Sequence, residues 1–309
     1  MSPLVSVILP VYNREKTILR ALESIENQTH DNLELVIVND GSTDNTGSII
    51  DEFKKESSVD THIITHSSNK GANVARNTGI KRSEGDYISF LDSDDEWLPE
   101  KIELQLNKFH ESVGVVYTGY YVEDRNGRRL GNIPKVRGDI YKKQLMRDHV
   151  SPTSCVMVHR KCLNKIGLFN PNLKARQDYE MWIRISKHFD FEYVEEPLTI
   201  IHKSPMNRIS SDFSKRMEAN LSILEIISEE VSSFDEVVKK KIFSKQFQSI
   251  SLYCYLNERY RAATSWSIKS LRMDKTNMYS FILLILSFLR ISPENRILLG
   301  VKNKFAEYL

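Results

Sequence analysis

Cysteine is scarce in this chain of 309 residues: Cys155, Cys162 and Cys254 are the whole complement. Their odd number and wide spacing exclude a secreted disulfide framework, and without a CxxC pair they exclude a cysteine zinc site, so they are read as reduced thiols. A long hydrophobic run is missing too. The most apolar stretch, 277–289 (NMYSFILLILSFL), falls short of the roughly 20 residues that cross a bilayer. No excess of one charge exists either, because Lys and Arg total 43 against 41 for Asp and Glu, for a net charge of +2. That balance does not call for nucleic acid as a partner. There is no low-complexity tract, and 40% hydrophobic with 27% charged residues is the composition of an ordinary folded protein. The chain runs early into LVSVILPVYN with no charged leader or small-residue cleavage site, so no signal peptide is expected and the cytoplasm is the expected address.

What is present first is alternation. LVSVIL (4–9), LELVIVN (33–39), THIITH (61–66) and DYISFL (86–91) read as strands. Helical spacing follows the first three, through Ile18, Leu22 and Ile25, through Ile49, Ile50 and Phe53, and from about Gly71 to Lys81. Near-continuous apolar strands alternating with helices predict an α/β fold whose mainly parallel sheet is covered on both faces. Such sheets bind ligands at the carboxyl ends of their strands. Further on, 100–110 reads as a helix, 113–122 as a strand, 123–138 as a loop or hairpin, 154–160 as a strand and 179–187 as a helix. Beyond about residue 210 helical patterns take over (212–230, 235–257, 259–272, 277–290). The expected organisation is a catalytic-type domain over 1–210 and a helical region over 211–309.

The strand ends carry the chemistry. The first ends in Pro10-Val11-Tyr12-Asn13, where a dinucleotide-binding fold would place GxGxxG, and this disfavours a nicotinamide dehydrogenase. The second ends in Asn39-Asp40-Gly41-Ser42-Thr43-Asp44. Here Ser42 or Asp44 suits a helix cap, and Asp40 is left freer to accept a base N–H. Asn73 and Arg76 follow the third strand, and Arg76 faces either a diphosphate or solvent. Asp92-Ser93-Asp94-Asp95 follows the fourth. Three carboxylates in four residues repel one another and call for a divalent cation with oxygen ligands, Mn2+ or Mg2+. In an extended strand end Asp92 and Asp94 would point the same way; a solvated loop is the plainer reading of the same residues. Asp178 stands where it could cap a helix or act as a general base, and Glu180 is spaced to pair with Arg184. His202 could be a further metal or phosphate contact, with Arg208 after it.

Taken in order, VSVILPVYN, VNDGSTDNT, NKGANVARNTG, FLDSDDEWLP, the segment Lys165-Ile166-Gly167-Leu168-Phe169 and QDYEMWIRI resemble the family 2 glycosyltransferases over residues 4–210. The resemblance implies the GT-A fold and an inverting transfer from a nucleotide sugar, UDP-linked by expectation, to a hydroxyl of a glycan or lipid-linked acceptor. By the same resemblance Pro10, Val11, Tyr12, Asn13 and Asp40 would hold the nucleoside, and Asn73, Arg76, Asp92 and Ser93 would lie near the nucleotide and its phosphates. Asp94 and Asp92 would be the metal-binding acids of a DxD motif, and Asp178 the catalytic base. Two departures stand out: Gln177 where the family usually has Glu, and IIHKSPMNRIS after Pro197-Leu198-Thr199, which leaves the parts of His202 and Arg208 open. The alternatives are a nucleotidyltransferase, for which PVYNREKT is a poor phosphate loop, and a non-catalytic nucleotide-sugar-binding protein, which would not need Asp178.

The apolar stretch 277–289 lies among Lys269, Arg272, Lys275, Arg290, Arg296, Lys302 and Lys304. Peripheral contact with an anionic membrane, at its cytoplasmic face, is one expectation for it. Burial within the chain or in a homodimer is the other.

Overall fold

A computed structural model describes residues 2–150, 152–203 and 212–293. Arg208, Arg296, Lys302 and Lys304 lie outside the described residues. The chain divides into two compact units, one of residues 1–141, 149–172 and 177–206, the other of 142–148, 173–176 and 207–309.

The first unit is built on strand alternation. In β1 (Val5–Val11) and β2 (Leu33–Asn39) every residue is buried, as expected of strands covered on both faces. Val5, Val7, Leu9 and Val11 join Leu35 and Ile37 in one core, shared with α1 (Ile18–Glu26) and α2 (Thr46–Glu56). The alternate residues Ile8, Val36 and Val38 fill the other core with Ala75 and Ile80 of α3 (Ala72–Arg82). α3 lies close on β1: a β-carbon at Gly79 would fall 2.6 Å from Ile8 Cγ2, so no larger residue fits there without a shift.

β3 (Asp60–Thr65), β2, β1 and β4 (Tyr87–Phe90) pair in parallel in the order 3-2-1-4. Successive connections run outward from β1 and then return to its other side, which makes the β1/β4 boundary a switch point where a crevice opens at the carboxyl ends. Beyond β4 the sheet is mixed. β8 (Val156–His159) lies antiparallel between β4 and β6 (Val113–Asp124); β9 (Asp190–His202) runs parallel to β6, and β5 (Glu96–Trp97) antiparallel to the end of β9. The stretch read as loop or hairpin is a hairpin, with β7 (Gly127–Asn132) returning on β6. The short helices of this unit are α4 (Lys101–Leu106), α6 (Arg160–Ile166) and α7 (Gln177–Ser186), while α5 (Tyr141–Met146) falls almost wholly in the second.

Two helices are shorter than their periodicity predicts. α1 starts at Ile18 rather than Arg14: residues 14–17 close a separate turn, in which Thr46 Oγ1 holds the Arg14 N–H at 2.8 Å. α4 stops at Leu106, where the Lys108 and Phe109 amides bond three residues back, the tighter winding that ends a helix.

In the second unit, α8 (Phe213–Glu230), α9 (Glu236–Leu256), α10 (Tyr260–Met273) and α11 (Met278–Phe288) follow the predicted spans closely. Asp212, Asp235 and Asn277 cap α8, α9 and α11 by accepting first-turn amides. Ile250, Leu252, Tyr255, Ala263, Leu283 and Leu286 form the core of α9, α10 and α11. Beside it runs a buried polar seam in which Ser270 Oγ donates to the Ser244 carbonyl at 2.7 Å and Ser280 Oγ meets Ser270 Oγ at 2.7 Å. Among the described residues no helix is long and apolar enough to cross a membrane.

Candidate active site

Three successive βα loops at the carboxyl ends of β1, β2 and β3 are joined side by side. Asn13, at φ 50°, gives its amide to Ser42 Oγ at 3.0 Å and accepts the Thr43 amide on Oδ1 at 2.8 Å. The Glu15 amide goes to Asp44 Oδ2 at 3.2 Å, and Asp44 Oδ1 takes the Thr46 amide at 3.0 Å. Burial pushes the Asp44 carboxyl up, but these bonds and the Thr46 hydroxyl outweigh it and hold its pKa below the ordinary value. Of the two expected caps, Asp44 is thus the one that secures the start of α2, whereas Ser42 serves the first loop. Asn13 serves the second loop as well, although the sequence placed it with the nucleoside.

Asp40 differs most from the free carboxylate expected. It is 3% exposed, and Oδ1 faces His66 Nδ1 at 2.6 Å and accepts the Lys70 amide at 2.9 Å, while Oδ2 accepts the Gly71 amide at 2.8 Å. The carboxylate organises the third loop, and one lone-pair direction of Oδ2 is what these three bonds leave for an outside donor. Gly41, at φ 75°, is the residue that permits this closeness, since a β-carbon there would meet the Ser68 backbone at 2.7 Å. Beside these loops Pro10 and Val11 are buried at the end of β1, and Tyr12 is 41% exposed.

The acidic cluster is a turn, not an extended strand end. The Asp95 amide closes on the Asp92 carbonyl at 2.9 Å, so Asp92 and Asp94 do not lie on a common strand face. Each of its residues is separately tied. Asp92 Oδ1 pairs with Arg76 Nη2 at 2.5 Å. Arg76 is buried, not solvent-facing, with its guanidinium over the Phe169 ring at 5.6 Å. The Ser93 carbonyl accepts the Thr17 hydroxyl at 2.9 Å, and the Asp94 carbonyl accepts Arg20 Nη2 at 2.9 Å. Asp95 is buried and accepts Ser154 Oγ at 2.6 Å, and that hydroxyl in turn accepts the Asp92 amide at 3.2 Å.

Ser154 is therefore the anchor of the turn, and nothing in its local sequence signals it. Ser154→Ala is expected to lower unfolding free energy by about 1–3 kcal/mol, the cost of leaving a buried acceptor short of its donor. Urea denaturation of parent and variant measures this, and equal midpoints would remove Ser154 from that role.

Beneath the turn lies a buried lysine. Lys101 donates to Gln105 Oε1 at 2.7 Å and sits over the Trp97 ring at 3.9 Å; Trp97 Nε1 in turn donates to the Ser154 carbonyl at 2.7 Å. Burial pushes the Lys101 ammonium down from 10.5 to about 7. The unfolded chain then binds more protons than the folded one between those values, so this group makes stability rise with pH across that window. The stability advantage of Lys101→Met over the parent is expected to shrink by roughly 4 kcal/mol from neutral pH to above pH 10. Paired denaturation curves at the two pH values test it. Neighbouring Cys155 has its thiol pushed up to about 12 by burial, which leaves it without thiolate reactivity.

Asp178 lies in the first turn of α7, one residue inside the helix rather than at its cap, and its Oδ1 accepts the Tyr179 amide at 2.8 Å. The Glu180–Arg184 pair forms as spaced, at 2.6 Å. Arg184 also donates to the Ile166 and Leu168 carbonyls. On its other side the same segment meets α3: Asn77 exchanges two hydrogen bonds with the Phe169 backbone, and Asn73 Nδ2 donates to the Asn170 carbonyl at 2.7 Å. Residues 166–170 thus connect the helix of Asp178 to the helix of Arg76, a task the sequence motif did not reveal.

His202, read as a further metal or phosphate contact, lies between two carboxylates: Nε2 is 3.1 Å from Glu96 and Nδ1 3.9 Å from Glu123. Glu96 also lies 3.8 Å from Arg20. Among the described residues no three His, Cys, Asp or Glu side chains converge to hold a metal ion by themselves. Asp92 and Asp94 are both half-buried and offer hard oxygen donors, which suits a cation completed by phosphate oxygens and water.

The model of glycosyl transferase family 2 matches residues 6–167. The putative teichuronic acid biosynthesis glycosyltransferase TuaG of Bacillus subtilis is 32% identical over 213 residues, covering 68% of this chain and 82% of that protein. The GalNAc(5)-diNAcBac-PP-undecaprenol beta-1,3-glucosyltransferase of Campylobacter jejuni is 26% identical over 309 residues, 96% of each chain. The chain spans as little as 26% of the length of other curated relatives that it matches. Among solved structures, S. aureus TarS 1-349 in complex with UDP-GlcNAc gives a TM-score of 0.67 at 20% identity, over 92% of this chain and 89% of that one. At that identity the likeness speaks for the fold alone, which is the GT-A-like mixed sheet with a helical region after it. The matched residues run from β1 through α6, and the chain belongs to glycosyltransferase family 2.

Proposed function

We propose that the chain transfers a sugar, with inversion, from a UDP-linked donor to a hydroxyl of a lipid-linked or polysaccharide acceptor, with Mn2+ or Mg2+ at Asp94 and Asp92. The observation that carries this reading is the acidic turn at the β1/β4 switch point, held by Arg76, Ser154, Thr17 and Arg20. A carboxylate paired with a buried arginine, with a second carboxylate two residues on in the same turn, supplies charge of both signs for a diphosphate and its cation. In this reading Tyr12 covers the base, and Asp40 takes an imide N–H on its remaining Oδ2 lone pair. Pro10, Val11, Asn13, Asn73 and Ser93 shape the nucleotide crevice around them.

Asp178 accepts the proton of the acceptor hydroxyl as its oxygen bonds to the anomeric carbon and the bond to the diphosphate breaks. The cation, when bound, would stabilise negative charge on the departing diphosphate. The acceptor class is suggested by the names of the relatives, one acting on an undecaprenol-linked glycan and one assigned to teichuronic acid synthesis. The three buried, unpaired cysteines suit the reducing cytoplasm.

A nucleotidyltransferase is disfavoured by the first loop. The amides of Asn13, Arg14 and Glu15 already bond Ser42, Thr46 and Asp44, so they do not form a cradle for phosphate. A screen of UDP-, GDP- and dTDP-sugars for metal-dependent hydrolysis tests the proposal. Release of UDP from at least one UDP-sugar is expected; activity confined to another nucleotide would correct the donor, and no hydrolysis or nucleotide binding in any case would overturn the reading.

A further inference from the structure

α11 carries apolar side chains on two faces. Ser280, Leu283, Leu286 and Ser287 are buried on the inner side. Met278, Phe281, Ile285 and Phe288 recur at three- and four-residue steps along another face, with Phe281 49% and Phe288 76% exposed, and exposed Leu289 extends the stripe. α10 adds exposed Ile268 and Met273. Isolated exposed apolar residues are ordinary on a protein surface, but a helical stripe with two exposed phenylalanines is a contact surface.

The charges around it identify the occupant. From residue 259 to 293 the sequence has six basic residues and one acidic residue, Asp274. Lys269, Arg272, Lys275 and Arg290 are all exposed, and the Asp274 carboxylate is engaged by the Thr276 amide and hydroxyl. A second copy docked through the same stripe about a two-fold axis would set this basic surround against itself, with no carboxylate of the stripe to answer it. An anionic bilayer answers both features at once: acyl chains take the phenylalanines, and phosphate headgroups take the lysines and arginines.

We infer that the α11 stripe of Met278, Phe281, Ile285, Phe288 and Leu289, with its surround of Lys269, Arg272, Lys275 and Arg290, docks the chain onto an anionic lipid surface. The face lies in the second unit, and the inference is independent of the sugar-transfer reading. α11 does not cross the bilayer in this arrangement; it lies along the surface.

Co-sedimentation of the full chain with vesicles of equal parts phosphatidylglycerol and phosphatidylcholine, and with phosphatidylcholine alone, tests it. Binding to the first and not the second is expected, declining as salt is raised. Phe281→Glu with Phe288→Glu is expected to reduce the partition at least about tenfold. Each change of Lys269, Arg272, Lys275 or Arg290 to Gln is expected to reduce it about fivefold. All these positions are exposed, so circular dichroism should be unchanged, and the glutamine series supplies a second readout if the glutamate pair misfolds.

Absence of binding to the anionic vesicles overturns the inference, as does parent-like binding by both sets of variants. Light scattering that shows a dimer, reduced to monomer by the glutamate pair, would assign the stripe to a second copy instead. A chain ended after Pro293 that no longer binds would move the contact to residues 294–309. Nucleotide hydrolysis measured without vesicles reports separately on the sugar-transfer reading.

Discussion

Asp178→Asn is expected to lower kcat by about 10³- to 10⁴-fold, near the upper range for loss of a general base, with UDP affinity nearly unchanged. Asparagine keeps the size of the side chain and an oxygen that can accept the Tyr179 amide, so the first turn of α7 is preserved. It cannot take up a proton. The helix itself is insulated from the change because Tyr179, Met181, Trp182 and Ile185 are fully buried behind it. Gln177 supplies no carboxylate beside Asp178 that could stand in for it. Steady-state turnover with the donor identified by the hydrolysis screen, alongside calorimetry with UDP, separates the two effects. A kcat within tenfold of the parent would assign the proton to another group.

Asp94→Ala is expected to weaken UDP binding in the presence of Mn2+ by about 100-fold while changing metal-free binding little. Asp92 is already paired with Arg76 and Asp95 is buried against Ser154, so their removal disturbs the turn as well as any ligand. The Asp94 backbone is held independently through its carbonyl by Arg20, and truncating its side chain leaves that bond in place. Asp95→Asn should lower stability before it alters the metal dependence. Calorimetric titrations with and without Mn2+ read both variants, and an equal effect of Asp94→Ala under the two conditions would detach the metal from this residue.

The parts of this arrangement that were legible in the sequence are those governed by neighbours along the chain. β1, β2 and the four long helices of the second unit carry their own periodicity, and their ends fell within a few residues of expectation. The two-residue strand β5 exists only through pairing with the far end of β9, so no local pattern could announce it, whereas the hairpin of β6 and β7 pairs near neighbours and was legible. The same distinction runs through the site. Glu180 and Arg184 are one helical turn apart and were readable as a pair. Arg76 with Asp92, Asp95 with Ser154, and Asp40 with the third loop are contacts across 16, 59 and about 30 residues, set by which strands lie side by side. Burial decides against solvent for Arg76, and it adds to Asp40 a structural task that leaves one Oδ2 lone pair open.

The joining of the three βα loops also bears on how a ligand is received. Amides and side chains that in a looser protein would be ordered by the incoming nucleotide are here ordered by folding, through Asn13, Asp40, Gly41 and Asp44. In the proposed reading little loop entropy is then left to lose on binding, and the floor of the crevice would discriminate by fit more than by adaptation. A base without a donor for the remaining Oδ2 lone pair of Asp40 would meet a surface that cannot rearrange to suit it.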